Sequence, residues 1–118
     1  MSKVLIIDDQ EDICFLLSNI LKRNGVSCDT AHTLAQGYSL LETHQYDCIF
    51  LDNNLPDGFG IDNIEKIKKQ SITKVIMITA FANEVIETSA RLKGVDDFIH
   101  KPFKILSIQN IVEALLRA

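Results

Sequence analysis

The sequence predicts an α/β fold, in which a doubly wound sheet of five parallel strands in the order 2-1-3-4-5 carries helices on both faces. Short, nearly continuous apolar runs alternate with longer amphipathic segments along the chain, and such alternation is typical of parallel sheets. The 118 residues are 47% hydrophobic, which is enough to fill the core of a single domain. We therefore expect one domain over residues 1–118.

The strands are predicted from five short runs that are rich in β-branched or aromatic residues. Four of them read VLIID, CIFLD, VIMIT and DDFIHK, and they begin at positions 4, 48, 75 and 96. A weaker run, VSCDTA, begins at position 26. Since the clear runs are apolar at nearly every position, they predict strands that are buried on both faces of the sheet.

The first two helices are predicted from apolar spacing and end signals. Ile13, Leu17 and Leu21 share one helical face ahead of Asn24 and Gly25, a pair that is typical of a helix C-terminus. Further along, Thr33 and Gln36 have the spacing of a capping box.

Three further helices follow the third, fourth and fifth strands. An isoleucine stripe at Ile61, Ile64 and Ile67 marks the third, and Asn83 is suited to cap a fourth that stops at Gly94. The fifth helix follows Pro102 and carries apolar residues at helical spacing.

Charge and cysteine content exclude several functional classes. The net charge of −4 argues against direct binding to nucleic acid, which requires a basic surface. No apolar run approaches the roughly 18 residues that span a bilayer. Cys14, Cys28 and Cys48 lack metal-ligand spacing and are typical of free thiols in a reducing compartment. We therefore expect a cytoplasmic domain without direct nucleic-acid or membrane contacts.

Polar side chains of types that bind metals or take part in catalysis follow four of the five strands. The first strand ends at Asp8 and Asp9, the third at Asp52, the fourth at Thr79 and the fifth at Lys101. The carboxyl ends of parallel strands meet at one edge, and strands one and three are neighbours in the predicted order. We therefore expect Asp8 and Asp9 to face Asp52.

This constellation predicts metal-assisted phosphoryl transfer. Clustered carboxylates are tolerated around a divalent cation, and Mg²⁺ prefers hard oxygen ligands together with water and phosphate. One carboxylate can attack phosphorus, while a metal, an ammonium and a hydroxyl stabilise the charge on the phosphoryl oxygens.

The chain resembles a receiver domain of the two-component response-regulator family. The segment VLIIDDQED resembles the acidic pair of that family, DNNLPDGFG its phosphoacceptor loop, ITAFA its switch threonine, and DDFIHKPF its segment of an aromatic residue, two further residues, Lys and Pro. The resemblance covers essentially the whole chain and implies a flavodoxin-like (βα)5 fold.

The resemblance also implies roles for the acidic residues and their neighbour. Asp52 would be the phosphoacceptor. Asp9 would bind Mg²⁺ directly, and Asp8 would bind it through water. Asp52 itself and the backbone carbonyl of Asn53 would complete the metal ligands.

Further roles follow from the later motifs. Thr79 and Lys101 would hold the phosphoryl oxygens, with Thr79 and Phe98 as the switch pair, and the bond from Lys101 to Pro102 would be cis. Because position 98 is Phe, packing alone would drive the switch.

The resemblance implies partners as well as chemistry. Asn54 and Phe81 would flank the path of an attacking water, and the bulk of Phe81 predicts slow dephosphorylation. A sensor histidine kinase would supply the phosphoryl group, so the domain is not a stand-alone enzyme. The surface of helix four, strand five and helix five would control a C-terminal output domain or a partner protein, and a phosphorylation-dependent dimer is possible.

Other functions and purely structural roles compete with this interpretation. An aspartate-nucleophile phosphatase would carry its nucleophile after the first strand in a DxDGT motif, where this chain has DDQE. A flavodoxin-like nucleotide binder would carry a Gly- or Ser/Thr-rich phosphate loop there. A pseudo-receiver would have lost an acidic or lysine position.

Asp8 and Asp9 could also serve only the dipole of the first helix, and we assign Asp57 to a turn with Pro56 and Gly58.

Overall fold

The computed structural model of the chain describes residues 3–80 and 83–116. The main sheet contains the strands β1 Lys3–Ile7, β2 Ser27–Ala31, β3 Cys48–Asp52, β4 Lys74–Thr79 and β5 Asp97–His100. These five strands are parallel and lie in the order β2-β1-β3-β4-β5, which confirms the predicted order.

Five α-helices connect or follow these strands. They are α1 Glu11–Arg23, α2 Leu34–Thr43, α3 Ile64–Gln70, α4 Glu84–Leu92 and α5 Ile105–Leu116. A single 3-10 turn at Gly60–Asn63 precedes α3, so the isoleucine stripe predicted for the third helix begins in that turn. Among the described residues, no helix is both long enough and apolar enough to cross a membrane.

The helix ends follow the predicted signals, with one difference. Thr33 caps α2 by accepting a hydrogen bond from the backbone N–H of Gln36 at 3.1 Å, and Asn83 caps α4. Gly25 has φ +75° just after α1, where a residue without Cβ is favoured. The side chain of Gln36 accepts from the backbone N–H of His32 at 2.8 Å and therefore reaches one residue further back than a capping box requires.

Apolar side chains pack on both faces of the sheet. On β1, Val4 and Ile6 face a cluster formed with α1 and α5, whereas Leu5 and Ile7 face a cluster formed with α2, α3 and α4. All four side chains are buried. This alternation is the reason why the strand sequences are apolar at nearly every position.

A short hairpin follows β3 in the segment for which the sequence predicted a turn. Residues Asn54–Leu55 pair antiparallel with Gly58–Phe59. The chain therefore folds back under the end of β3 before it enters the 3-10 turn.

Candidate functional site

Three carboxylates meet at the carboxyl edge of the sheet, as the order of the strands requires. One side-chain oxygen from each of Asp8, Asp9 and Asp52 lies within 4.8 Å of the other two. Asp8 is fully buried and Asp52 is 4% exposed, whereas Asp9 is exposed to solvent. The predicted acidic cluster is therefore assembled from β3 and the segment that follows β1.

Lys101 reaches into this cluster from the end of β5. Its ammonium nitrogen lies 2.9 Å from Asp8 Oδ2 and 3.6 Å from Asp52 Oδ1, and it donates a 2.7 Å hydrogen bond to Gln10 Oε1. The backbone N–H of Lys101 donates to Thr79 O at 2.8 Å. The bond from Lys101 to Pro102 is cis, which confirms the prediction drawn from the resemblance.

The two oxygens of Asp8 differ in their contacts. Oδ1 accepts a 2.9 Å hydrogen bond from the backbone N–H of Gln10. Oδ2 is buried, and within the described part of the chain it has the ion-pair contact with Lys101 but no well-aligned hydrogen bond. A buried carboxylate oxygen in this state retains the capacity to bind a cation or an ordered water. Together with Asp9 and Asp52, it forms the hard-oxygen donor set that suits Mg²⁺.

Asp52 binds its proton more tightly than an ordinary aspartate. Burial is the main cause and, together with the nearby charge of Asp8, it raises the pKa of the Asp52 carboxyl from 3.8 to about 6. Lys101 and the backbone N–H of Asn54 oppose this rise in pKa. At neutral pH the carboxylate is therefore mostly ionised and remains available as a nucleophile.

A small cavity opens beside the carboxylates. It has a volume of about 230 Å³ and is lined by Asp9, Gln10, Asp52, Asn54, Ala80 and Lys101. Every one of these residues lies at or just beyond the carboxyl end of a strand. The walls of the cavity thus carry two carboxylates, an ammonium and two side-chain amides.

Asn53 follows Asp52 in a bend between β3 and the hairpin. Its carbonyl accepts a 2.8 Å hydrogen bond from Gly60 N, and its side-chain oxygen accepts a 3.0 Å hydrogen bond from Ile61 N. The next residue, Asn54, lines the cavity. The role of the Asn53 carbonyl as a metal ligand stays a prediction.

The predicted switch residues lie near the site but do not line the cavity. Thr79 is fully buried at the end of β4, one position beyond the residue that pairs with Asp52. Phe98 is 9% exposed and packs inward from β5, and its ring centroid lies 5.3 Å from that of His100. Phe81, expected to shield the path of water, lies outside the described residues.

Two residues of this region were not singled out from the sequence as parts of the site. Gln10 binds Lys101 across 91 positions of the chain, and nothing in its local sequence signals that contact. Asp57 was assigned to a turn, yet its carboxylate accepts hydrogen bonds from Leu34 N and Ala35 N at the start of α2. An acidic residue is a common helix cap. However, Asp57 lies 23 positions from Leu34, so no pattern in the sequence near α2 predicts this cap.

Comparison with known proteins decides the family. Residues 4–113 match the model of the response regulator receiver domain. The chain belongs to this family. The resemblance of its four motifs is thereby confirmed over nearly the full length of this receiver domain.

Relatives and solved structures agree with this placement. The receiver domain is 35% identical over 117 residues to the KDP operon transcriptional regulatory protein KdpE of Escherichia coli, covering 99% of this chain and 52% of that protein. It is 34% identical to the transcriptional regulatory protein SrrA of Staphylococcus aureus, covering 98% of this chain and 48% of SrrA. The chain thus spans about half the length of these curated relatives.

Two solved structures illustrate the similarity of fold. A two-component response regulator from Clostridium difficile superimposes with a TM-score of 0.95 at 30% identity, over 99% of this chain and 97% of that one. The beryllofluoride-activated NtrC4 receiver domain dimer gives a TM-score of 0.92 at 34% identity, over 98% and 96% of the two chains.

Proposed function

We propose that this receiver domain is a phosphorylation-controlled switch in which Asp52 accepts a phosphoryl group from a phosphohistidine of a sensor histidine kinase. The observation that carries the proposal is the meeting of Asp8, Asp9, Asp52 and Lys101 around one cavity. An ionised carboxylate next to a largely buried ammonium and further carboxylates is suited to phosphoryl transfer with Mg²⁺.

The chemistry uses an oxygen of Asp52 as the nucleophile. A bond forms between this oxygen and phosphorus, while the bond from phosphorus to the histidine nitrogen breaks and its electron pair returns to the imidazole. Mg²⁺, when held by the carboxylates of Asp8, Asp9 and Asp52, supplies positive charge for the phosphoryl oxygens. Lys101, at 3.6 Å from Asp52 Oδ1, is positioned to hold one of those oxygens, and Thr79 supplies a hydroxyl at the end of the adjacent strand.

The signal would leave the site through α4, β5 and α5. Phe98 packs inward against the core and contacts the ring of His100, which in turn lies 2.8 Å from Glu87 on α4. A rearrangement of Thr79 and Phe98 would therefore disturb a contact between β5 and α4. Since Phe98 carries no hydroxyl, this response depends on packing alone.

The output is a separate part of the proposal. KdpE and SrrA are named as transcriptional regulatory proteins and are about twice as long as this chain, and the NtrC4 receiver domain is described as a dimer. We propose that the surface of α4, β5 and α5 controls a C-terminal output domain or a partner protein, through a phosphorylation-dependent dimer or a direct contact. The net charge of −4 favours such protein contacts over direct nucleic-acid binding by this domain.

Phosphorylation with a small donor tests the chemistry without the kinase. The domain is incubated with Mg²⁺ and acetyl phosphate, and its intact mass is measured before and after. We expect the mass of one added phosphoryl group on the wild type and on the control Asp62→Asn, which alters an exposed acid, but not on Asp52→Asn. Equal labelling of Asp52→Asn and the wild type would contradict the assignment of the phosphoacceptor.

A further inference from the structure

The first turn of α2 is held by a side chain from the phosphoacceptor segment. Asp57 Oδ1 accepts a 2.9 Å hydrogen bond from Leu34 N, and Oδ2 accepts a 3.0 Å hydrogen bond from Ala35 N. These two N–H groups hold the pKa of the Asp57 carboxyl below its usual value. Asp57 thus satisfies two of the backbone donors that a helix leaves unpaired at its N-terminus.

The hairpin that carries Asp57 returns close to the backbone of Asp52. Gly60 N donates to Asn53 O at 2.8 Å, and a Cβ atom added at Gly60 would clash with Asp52 O. The backbone of the returning segment therefore packs directly behind Asp52. We therefore expect a displacement of Asp57 to move Asp52 as well, because close-packed contacts transmit strain.

The residue ahead of the N-cap of α2 touches the other carboxylate segment. His32 Nδ1 lies 3.2 Å from Asp8 O, and the backbone N–H of His32 donates to Gln36 Oε1 at 2.8 Å. We call the contacts of Asp57 with Leu34 and Ala35, together with the contact of His32 with Asp8, the α2 clasp. The clasp joins the segment after β1 to the segment after β3 through the start of α2 and His32, which precedes it and donates to Gln36 of the helix.

We propose that Asp57 is a positioning residue, which sets the placement of Asp52 relative to Asp8 and Asp9 by clamping the hairpin after β3 to the first turn of α2. This inference rests on the proposed function. Mg²⁺ demands near-ideal coordination geometry, and small misplacements of reacting groups have large effects on rate. Loosening the clasp therefore weakens metal binding and slows phosphorylation, although Asp57 touches neither ligand.

The coupling must act in both directions. If the closed clasp favours Mg²⁺ and phosphoryl binding, then binding at the site favours the closed clasp by the same factor. The N–H groups of Leu34 and Ala35 report on the clasp directly, because each donates to an oxygen of Asp57. Their exchange with solvent deuterium measures how often those hydrogen bonds open.

The first test compares Asp57→Asn with Asp62→Asn, which removes one charge from an exposed acid that forms a 3.7 Å ion pair with Lys93. Initial rates of phosphorylation by acetyl phosphate are measured below the melting temperature of both variants. The Mg²⁺ concentration for half-maximal thermal stabilisation is obtained from melting curves at increasing Mg²⁺. We expect Asp57→Asn to be slower by about tenfold and to need more Mg²⁺, whereas Asp62→Asn matches the wild type. If the wild type is labelled and both variants match it in rate and Mg²⁺ dependence, the inference is overturned and the proposed function stands.

The second test requires no variant and so does not depend on how well Asp57→Asn folds. Deuterium exchange of individual amides is recorded on the wild type, first alone and then with Mg²⁺ and beryllofluoride. We expect slower exchange at Leu34 and Ala35 and unchanged exchange at Val26, whose N–H is bonded to Leu21 O beyond the end of α1. Unchanged exchange at Leu34 and Ala35 with the ligands bound overturns the coupling. A wild type that accepts no phosphoryl group overturns the proposed function and the inference with it.

Discussion

Two clusters of charged side chains in this receiver domain are built in opposite ways. The first lies around the start of β1. Lys3 Nζ lies 3.4 Å from Asp29 Oδ2, Tyr46 donates a 2.6 Å hydrogen bond to the same oxygen, and the backbone N–H of Lys3 donates to Asp47 Oδ2 at 2.8 Å. Here the acids have donors and a cation close by, and the hydrogen bond from Tyr46 is the main reason why the pKa of Asp29 is lowered.

The second cluster lies at the opposite edge of the sheet. Asp8, Asp9 and Asp52 gather their carboxylates within 4.8 Å, and in the described residues Lys101 is the cation that contacts them. The pKa of Asp52 is raised by burial and by Asp8, and Asp8 Oδ2 lacks a well-aligned hydrogen bond. We therefore expect the first cluster to contribute to stability. We expect the second, with its excess of negative charge, to destabilise the metal-free fold and to favour binding of a cation.

The largest expected effect comes from removing the cation of the second cluster. Lys101→Met leaves the buried carboxylate of Asp8 without its ion-pair partner, and we expect a loss of about 3 kcal/mol in the free energy of unfolding. Urea unfolding at neutral pH in EDTA measures it. Lys104→Met is the matched control at an exposed lysine, and equal stability of the two variants would show that Lys101 does not hold the cluster together.

A smaller effect is expected from the raised pKa of Asp52. The folded state binds this proton with a pKa of about 6 against 3.8 ordinarily, so the contribution of Asp52 to stability falls as pH rises from about 4 to about 6 and is level above that range. Asp52→Asn does not titrate. In EDTA, its advantage over the wild type should therefore grow across that range by about 2 kcal/mol, as measured by urea unfolding at several pH values. An advantage that does not change with pH would contradict the raised pKa.

A substitution in the first cluster should lower the stability of the fold without changing the rate of phosphorylation. Tyr46→Phe removes the hydrogen bond to Asp29, and we expect a loss of about 1 kcal/mol, because the acceptor is partly exposed and keeps Lys3 beside it. Urea unfolding measures the stability and labelling by acetyl phosphate measures the chemistry. An altered labelling rate at unchanged stability would mean that the two clusters are not independent.

Much of this organisation could be predicted from the sequence because it depends on local patterns. The apolar runs identified the strands, and the carboxyl ends of parallel strands lie at one edge whatever the loops do. The meeting of Asp8, Asp9, Asp52 and Lys101 follows from that rule and from the strand order.

The contacts that the sequence did not predict join segments that are apart along the chain. The hydrogen bonds of Asn53 with Gly60 N and Ile61 N are of this kind. The bond from Lys101 to Gln10 spans 91 positions, and the cap that Asp57 provides for α2 spans 23 positions at Leu34. Such contacts depend on how the hairpin and helices pack, which composition and spacing do not encode.

Thermal melts of the wild type and Asp9→Ala, each in EDTA and in excess Mg²⁺, test the central claim. The claim is that repulsion among the carboxylates of the second cluster destabilises the metal-free protein and favours cation binding. Asp9 is exposed, so the repulsion that it adds is partly screened and the shift will be small. We expect Asp9→Ala to melt about 3 °C above the wild type in EDTA and to lose the rise in melting temperature that Mg²⁺ gives the wild type. If Asp9→Ala melts below the wild type in EDTA and still gains as much from Mg²⁺, the acidic pair is structural and the contrast between the two clusters is wrong.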